Sequence, residues 1–278
     1  MKARRVVSAA VPRGRPHRWL VLAGLVCGVL GAVVAFAPAS WLARAVAQGT
    51  GGHLLLADAR GSIWTGSAVA VLTGGPDSRD AAILPGRLEW KLRHAPGSLA
   101  ALELRAVQPC CLDGELRLRL EPGVARLHVS LPPERRAIGA WPAGWLAGLG
   151  TPWNTLQLEG ALQVVSEGLT IDAVQGHWRV SGRAELNLLA VSSALSTLDP
   201  LGSYRLGLGP SSGGGDGLAL NLQTLDGALR LGGSGQWSAN GLRFRGQATA
   251  QPGAEAALSN LLNIIGRRQG NVAHIAIG

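Results

Sequence analysis

From Leu54 onward the chain alternates polar and apolar residues with a period of two, and that pattern constrains the fold more than any other feature. Glu115-Leu116-Arg117-Leu118-Arg119-Leu120 alternates strictly, and Leu102–Arg105, Arg126–Leu131, Leu156–Glu159, Leu218–Gln223 and Leu242–Arg245 repeat the theme. Successive side chains of a strand point to opposite faces, so each segment predicts a strand with one apolar and one wetted face. Gly, Pro or Asp-Gly bounds the segments, which is the punctuation of antiparallel connections. The expected fold class is mainly β: a strongly curved antiparallel sheet, as a half-barrel or open groove, with short helices. The 40 glycines suit many tight turns, and 47% hydrophobic residues argue against a disordered chain.

Ahead of the strands lies Trp19–Ala37, WLVLAGLVCGVLGAVVAFA, uncharged throughout. Nineteen such residues are about what a helix needs to cross a bilayer, so a single transmembrane helix is expected over 19–37. Six basic residues precede it (Lys2, Arg4, Arg5, Arg13, Arg15, Arg18) with no acid among them. By the positive-inside rule, residues 1–18 are expected to be a cytoplasmic tail and 38–278 a periplasmic body in the inner membrane of a Gram-negative-type cell. The competing reading is a cleaved signal peptide, with small residues Ala35 and Ala37 at the cut. The apolar stretch is long for that, and Pro38 just after the site disfavours cleavage. Gly24, Gly28 and Ala32 give the helix one smooth face.

The tail also explains the charge. The whole chain carries +9, but without those six residues 20 basic face 17 acidic ones. A nucleic-acid surface needs basic residues interleaved with exposed aromatics, and no stretch has them, so nucleic acid is not an expected partner.

Within the body, Ser40 is placed to cap a short helix, WLARAVAQ, that stops at Gly49. Pro132–Pro152 breaks the alternation and reads as a connection between two β halves, about 50–131 and 154–278. Ser211–Gly217 reads as a hairpin tip. Glu255–Arg268 carries Leu258, Leu261, Leu262 and Ile265 on one helical stripe, and Val272–Ile277 reads as a last strand.

Catalytic chemistry has little support. His53, His94, His128, His177 and His274 are scattered, His128 reads as a solvent-facing strand residue, and no G-x-S-x-G elbow or metal spacing appears. No enzyme, cofactor or metal is expected. Cys110 and Cys111 leave three readings open: a strained vicinal disulfide, a bond to another chain, or two small residues packed at a strand end. Cys27 lies within the apolar segment.

An ordered set of motifs then resembles the protein N family of the type II secretion system (general secretion pathway protein N). It comprises Pro38-Ala39-Ser40-Trp41-Leu42, Gly61-Ser62-Ile63-Trp64-Thr65-Gly66, Pro85–Trp90, Leu201-Gly202-Ser203-Tyr204-Arg205, Thr224–Leu231, Gly235-Gln236-Trp237 and Leu261–Arg268. The resemblance covers nearly the whole chain. It implies an inner-membrane accessory or scaffold of the secretion machine, touching inner-membrane subunits or the outer-membrane secretin. It singles out Gly61, Ile63, Trp64, Gly66, Trp90, Tyr204, Trp237, Asn263, Arg267 and Arg268 as structural or partner residues. Trp64 is expected in the core, with the flanking glycines serving a turn or bulge. More distantly the family is similar to the AsmA-like group, which implies an alternative: a periplasmic module that binds or transfers lipid in an apolar groove.

Overall fold

The computed structural model describes residues 18–98, 100–123, 126–174, 177–211, 217–238 and 241–278. The basic tail up to residue 17 and positions 212–216 of the expected hairpin tip lie outside the described residues, as do the side chains of 18, 20, 173 and 177–179.

The chain divides into two units, Met1–Ala37 and Pro38–Gly278. In the first, helix α1 (Arg18–Ala35) forms where the apolar segment is expected, and its described side chains are exposed. It ends three residues before Pro38, whose ring disfavours helical geometry in the residue ahead of it. Among the described residues, no helix is long and apolar enough to cross a membrane.

The second unit opens with α2 (Ala39–Gly49). Its N-cap is Pro38 and no side chain caps it; Ser40 lies inside the first turn and does not serve as the cap. Sixteen strands follow: β1 (Leu54–Gly61), β2 (Thr65–Thr73), β3 (Ala81–Ile83), β4 (Leu88–His94), β5 (Leu102–Val107), β6 (Leu116–Gly123), β7 (Arg126–Ser130), β8 (Arg135–Pro142), β9 (Leu158–Val174), β10 (His177–Ser193), β11 (Gly202–Pro210), β12 (Leu218–Gly227), β13 (Leu229–Ser238), β14 (Gly241–Ala250), β15 (Arg267–Gln269) and β16 (Val272–Ile277). A 3-10 segment (Ala143–Leu149) and α3 (Trp153–Leu156) lie between β8 and β9, and α4 (Glu255–Ile265) lies between β14 and β15.

All sixteen strands among the described residues belong to one sheet, and almost every strand pairs with its neighbour in the chain. The order is β1-β2-β4-β5-β6-β7-β9-β10-β11-β12-β13-β14-β16-β15, with β3 on β2 and β8 on β9. The pairings are antiparallel throughout, as short hairpin connections require. The segment expected to separate two β halves instead contributes β8, and the two groups of strands join where β7 pairs with β9. Leu156 belongs to α3, not to the strand that begins at Leu158.

The alternation sorts side chains as expected. In β4, Trp90 is buried between exposed Glu89 and Lys91. The main core lies where α4 covers the apolar face. Leu258, Leu261 and Leu262 are at most 2% exposed and pack among Val191, Leu201, Tyr204, Leu229, Ala248 and Ala273. Burying each such leucine contributes about 2 kcal/mol, which docks an eleven-residue helix that would be marginal alone. The helix ends at Ile265, short of the expected Arg268, and Arg267 and Arg268 enter the edge strand β15. Two smaller cores sit at the other end of the sheet, one around Ala39, Ala68 and Trp90, the other around Ala70, Leu84 and Cys111 beneath Trp141 and Trp145.

Candidate functional site

The G-S-I-W-T-G motif is the turn between β1 and β2. The Ser62 amide donates to the Thr65 carbonyl (2.9 Å), and Ser62 Oγ accepts from the amides of Trp64 and Thr65, each at 3.2 Å. Trp90 locks this turn from below, its indole Nε1 donating to the Ile63 carbonyl at 3.1 Å. Gly66 is required there: a Cβ would stand 2.5 Å from Trp90 Cζ2 and 2.6 Å from the Arg60 carbonyl. Ile63, Trp64 and Gly66 are half-buried and Gly61 is exposed, so the core position expected for Trp64 belongs to Trp90.

Arg87, unremarked in the sequence beyond its motif, ties down the neighbouring bulge in β1. It donates to Asp58 Oδ2 and the Asp58 carbonyl (2.7 Å each) and to Ser67 Oγ (3.1 Å). Hydrogen bonds from Arg87 and then Arg60 hold the Asp58 carboxyl below its ordinary range.

The other motif residues also mark joints of the sheet. Tyr204 is 3% exposed and its hydroxyl donates to the Leu229 carbonyl at 3.1 Å; burial pushes its phenol well above the ordinary value. Arg268 donates to Asn263 Oδ1 and the Ser259 carbonyl, both at 3.5 Å, linking β15 to α4. Arg267 is exposed, and so is Trp237, at 59%. Cys110 and Cys111 are bonded to each other across 3.7 Å between Cα atoms. Their turn is pinned to β8 by the Ala140 amide donating to the Cys111 carbonyl at 2.8 Å. Cys111 is buried and Cys110 exposed, while Cys27 is free and exposed.

The polar face of the central strands carries interlocked ion pairs. Arg105 engages Glu103, Arg117 engages Glu115 (2.7 Å) and Arg119 engages Glu121 (2.8 Å). Cross-strand, Asp172 meets both His128 Nδ1 (2.8 Å) and Arg126 (3.1 Å), and these partners, His128 first, hold its carboxyl below the ordinary value. His128 thus lies on the wetted face as expected, but half-buried and paired. Arg135 bridges Glu167 and Glu185, each at 2.9 Å.

Next to this network the same face forms a trough of about 860 Å³. Strand register builds it in two cross-strand rows. One runs Glu185, Gly207, Asn221, Ser234, Arg245 and Ala276; the other places Ala219 and Gln236 between Gly209 and Arg243. Arg183 lies over Gly209, where a Cβ would be 3.9 Å from its Cγ. Residues of β10 and β14, four strands apart, line one cavity, so the sheet is concave here. Glycine and alanine at 207, 209 and 219 leave the room.

The opposite, apolar face is covered by α4 at one end and by α2 and the 3-10 segment near β1–β4. Elsewhere Leu127, Trp237, Leu242 and Ile277 are 38–59% exposed, and Leu118, Leu120 and Leu218 are half-buried. Among the described residues, no group of three or more His, Cys, Asp or Glu is placed to hold a metal. What the molecule offers chemically is two contrasting surfaces on one sheet, a charged trough and a partly uncovered apolar face.

The sequence alternation pointed to the apolar face. It did not point to the trough, because which arginines share a cavity depends on the pairing of strands far apart in the chain. The one available signal was Leu242-Arg243-Phe244-Arg245, two arginines on one strand face with no acid beside them.

The family model for protein N of the type II secretion system matches residues 53–274, from just before β1 into β16. No curated protein and no solved structure matches the chain.

Proposed function

The chain belongs to the type II secretion system protein N family, and from that premise we propose that it is a single-pass inner-membrane scaffold of the secretion machine. In this reading Trp19–Ala37 anchors it, residues 1–18 face the cytoplasm, and the sheet projects into the periplasm to hold other subunits of the inner-membrane platform or the secretin. The observation that carries the proposal is the extent of the family match, which takes in essentially the whole sheet rather than one motif. The anchor rests on nineteen uncharged residues behind a wholly basic flank, of which Trp19–Ala35 lie in α1 and rise about 26 Å against a hydrocarbon thickness of about 30 Å. The family motifs hold turns, bulges and helix ends in place rather than gathering nucleophiles or acid–base pairs, which supports a scaffold over an enzyme.

The test is isolation of membrane complexes through a tag on this chain, after mild crosslinking in living cells. Secretion subunits should accompany it; their absence, with the tagged protein intact in the membrane fraction, would sink the scaffold role.

A second reading has one observation in its favour: the uncovered end of the apolar face, with Trp237, Leu242 and Ile277 exposed together. That surface suits a lipid-binding or lipid-transfer module. A photo-crosslinker placed in turn at Leu116, Leu118 and Leu120, and at Glu115, Arg117 and Arg119, separates the two. Phospholipid captured from the apolar side alone supports lipid handling, and subunits captured from the polar side support the scaffold.

A further inference from the structure

We propose that the polar trough between β10 and β14 binds an extended polypeptide segment rich in acidic residues. The proposal stands on charge and shape and does not depend on the secretion assignment. Arg183, Arg243 and Arg245 line the trough, are exposed, and make no hydrogen bond or ion pair with any described residue. The two carboxylates that line it are already engaged: Glu167 by Arg135, and Glu185 by Arg135 and Arg205. The trough therefore presents three uncompensated guanidinium groups, the donor best suited to pairing with planar carboxylates.

Shape selects the class of ligand. Arg183 stands four strands away from Arg243, at most about 19 Å along the curved sheet, so the three guanidinium groups are spread across the trough rather than gathered on one strand. Arg243 and Arg245 are two residues apart on one strand face, about 7 Å, which matches the repeat of alternate side chains in an extended peptide. Between them and Arg183 lie Asn221 and Ser234, opposite each other in register and free to hydrogen-bond a peptide backbone. The leucines of these strands alternate towards the other face, and although Leu208, Leu220, Phe244 and Ile277 contribute to the lining, the unpaired charges in it are guanidinium groups.

The experiment uses the full chain in phosphatidylcholine nanodiscs and a fluorescein-labelled Ser-Glu repeat peptide, read by fluorescence anisotropy. The wild-type chain should bind it and ignore a Ser-Lys repeat, with affinity falling as salt rises. Exchanging Arg183, Arg243 and Arg245 for Gln together should weaken binding about tenfold or more, at the modest value of each exposed charge pair. Arg93→Gln, which removes an exposed, equally unpaired arginine on β4, should change it less than about twofold. If the triple variant does not fold, Arg183→Gln and the Arg243→Gln/Arg245→Gln pair carry the comparison. Equal loss in the triple variant and Arg93→Gln would overturn the proposal. So would displacement of the peptide by inorganic phosphate or phosphatidylglycerol vesicles at matching charge concentration, which would make the trough a site for small anions or a lipid surface.

Discussion

Removing the side chain of Leu262 tests whether α4 is the lid that seals the main core. Leu262 is 1% exposed and packs with Leu258 and Leu261 against buried residues from five strands and the segments beside them. A buried Leu→Ala change loses the transfer energy of the removed carbons and leaves a partly collapsed cavity, together about 2–5 kcal/mol. Taking 3 kcal/mol for a body of this size, the melting temperature should fall by roughly 6–12 °C. Ile264→Ala on the same helix is the control. That side chain is 42% exposed, and the better helix propensity of Ala offsets part of its lost packing, so the net change should stay under about 1 kcal/mol. Near-UV circular dichroism of the full chain during heating reads both, and a dye that binds apolar surface should light up earlier for Leu262→Ala. If the two variants melted together, α4 would not be docked as described, and the main core would need another source of stability.

Other expectations follow from the same geometry. Trp90→Phe should cost about 1 kcal/mol through the lost bond to Ile63, and Gly66→Ala roughly 1–3 kcal/mol through its clash with Trp90, each measured as a shift in urea midpoint. Alkylating the denatured chain without reductant should label one thiol, Cys27, and after reduction three; a reducible dimer on gels would instead mean bonds between chains. Asp172→Asn should lower stability by up to about 1 kcal/mol near neutral pH, where the ionised carboxylate engages His128 and Arg126. Because the folded-state pKa of Asp172 lies below its unfolded value, the difference between wild type and variant should shrink as pH falls below about 4 and vanish beneath the folded pKa. A difference that did not shrink at all as the pH fell below about 4 would contradict the pairing.

Much of the sheet was legible because its period is local. Leu116–Leu120, Leu218–Gln223 and Leu242–Arg245 declare their faces without reference to any partner, and the stripe Leu258-Leu261-Leu262 declares a docked helix. The long strands β9 and β10 were not legible as units. Gly168 and Gly182, which look like hairpin punctuation, sit in left-handed conformations at bulges inside continuous seventeen-residue strands. β8 hides among Pro and Gly because it leans on the side of β9 as a short branch of the sheet. Trp90 displaced Trp64 from the core for a similar reason. Both are strand-adjacent indoles in the sequence, and only the pairing of β4 with β2 decides which one lies beneath the turn.

The near-sequential strand order has a consequence for how the molecule is made. Each strand finds its partner in the segment synthesised just before or after it, so little loop entropy is spent on any one pairing. The sheet can grow like a closing zipper, strand on strand, in the order of translation. The greasy side of its later strands, however, stays bare until α4 arrives, after fourteen of the strands exist, because α2 and the 3-10 segment pack near β1–β4 instead. The nascent body therefore passes through a long interval as an amphipathic sheet capped at its first strands, a state that offers a chaperone or the membrane surface much to grip.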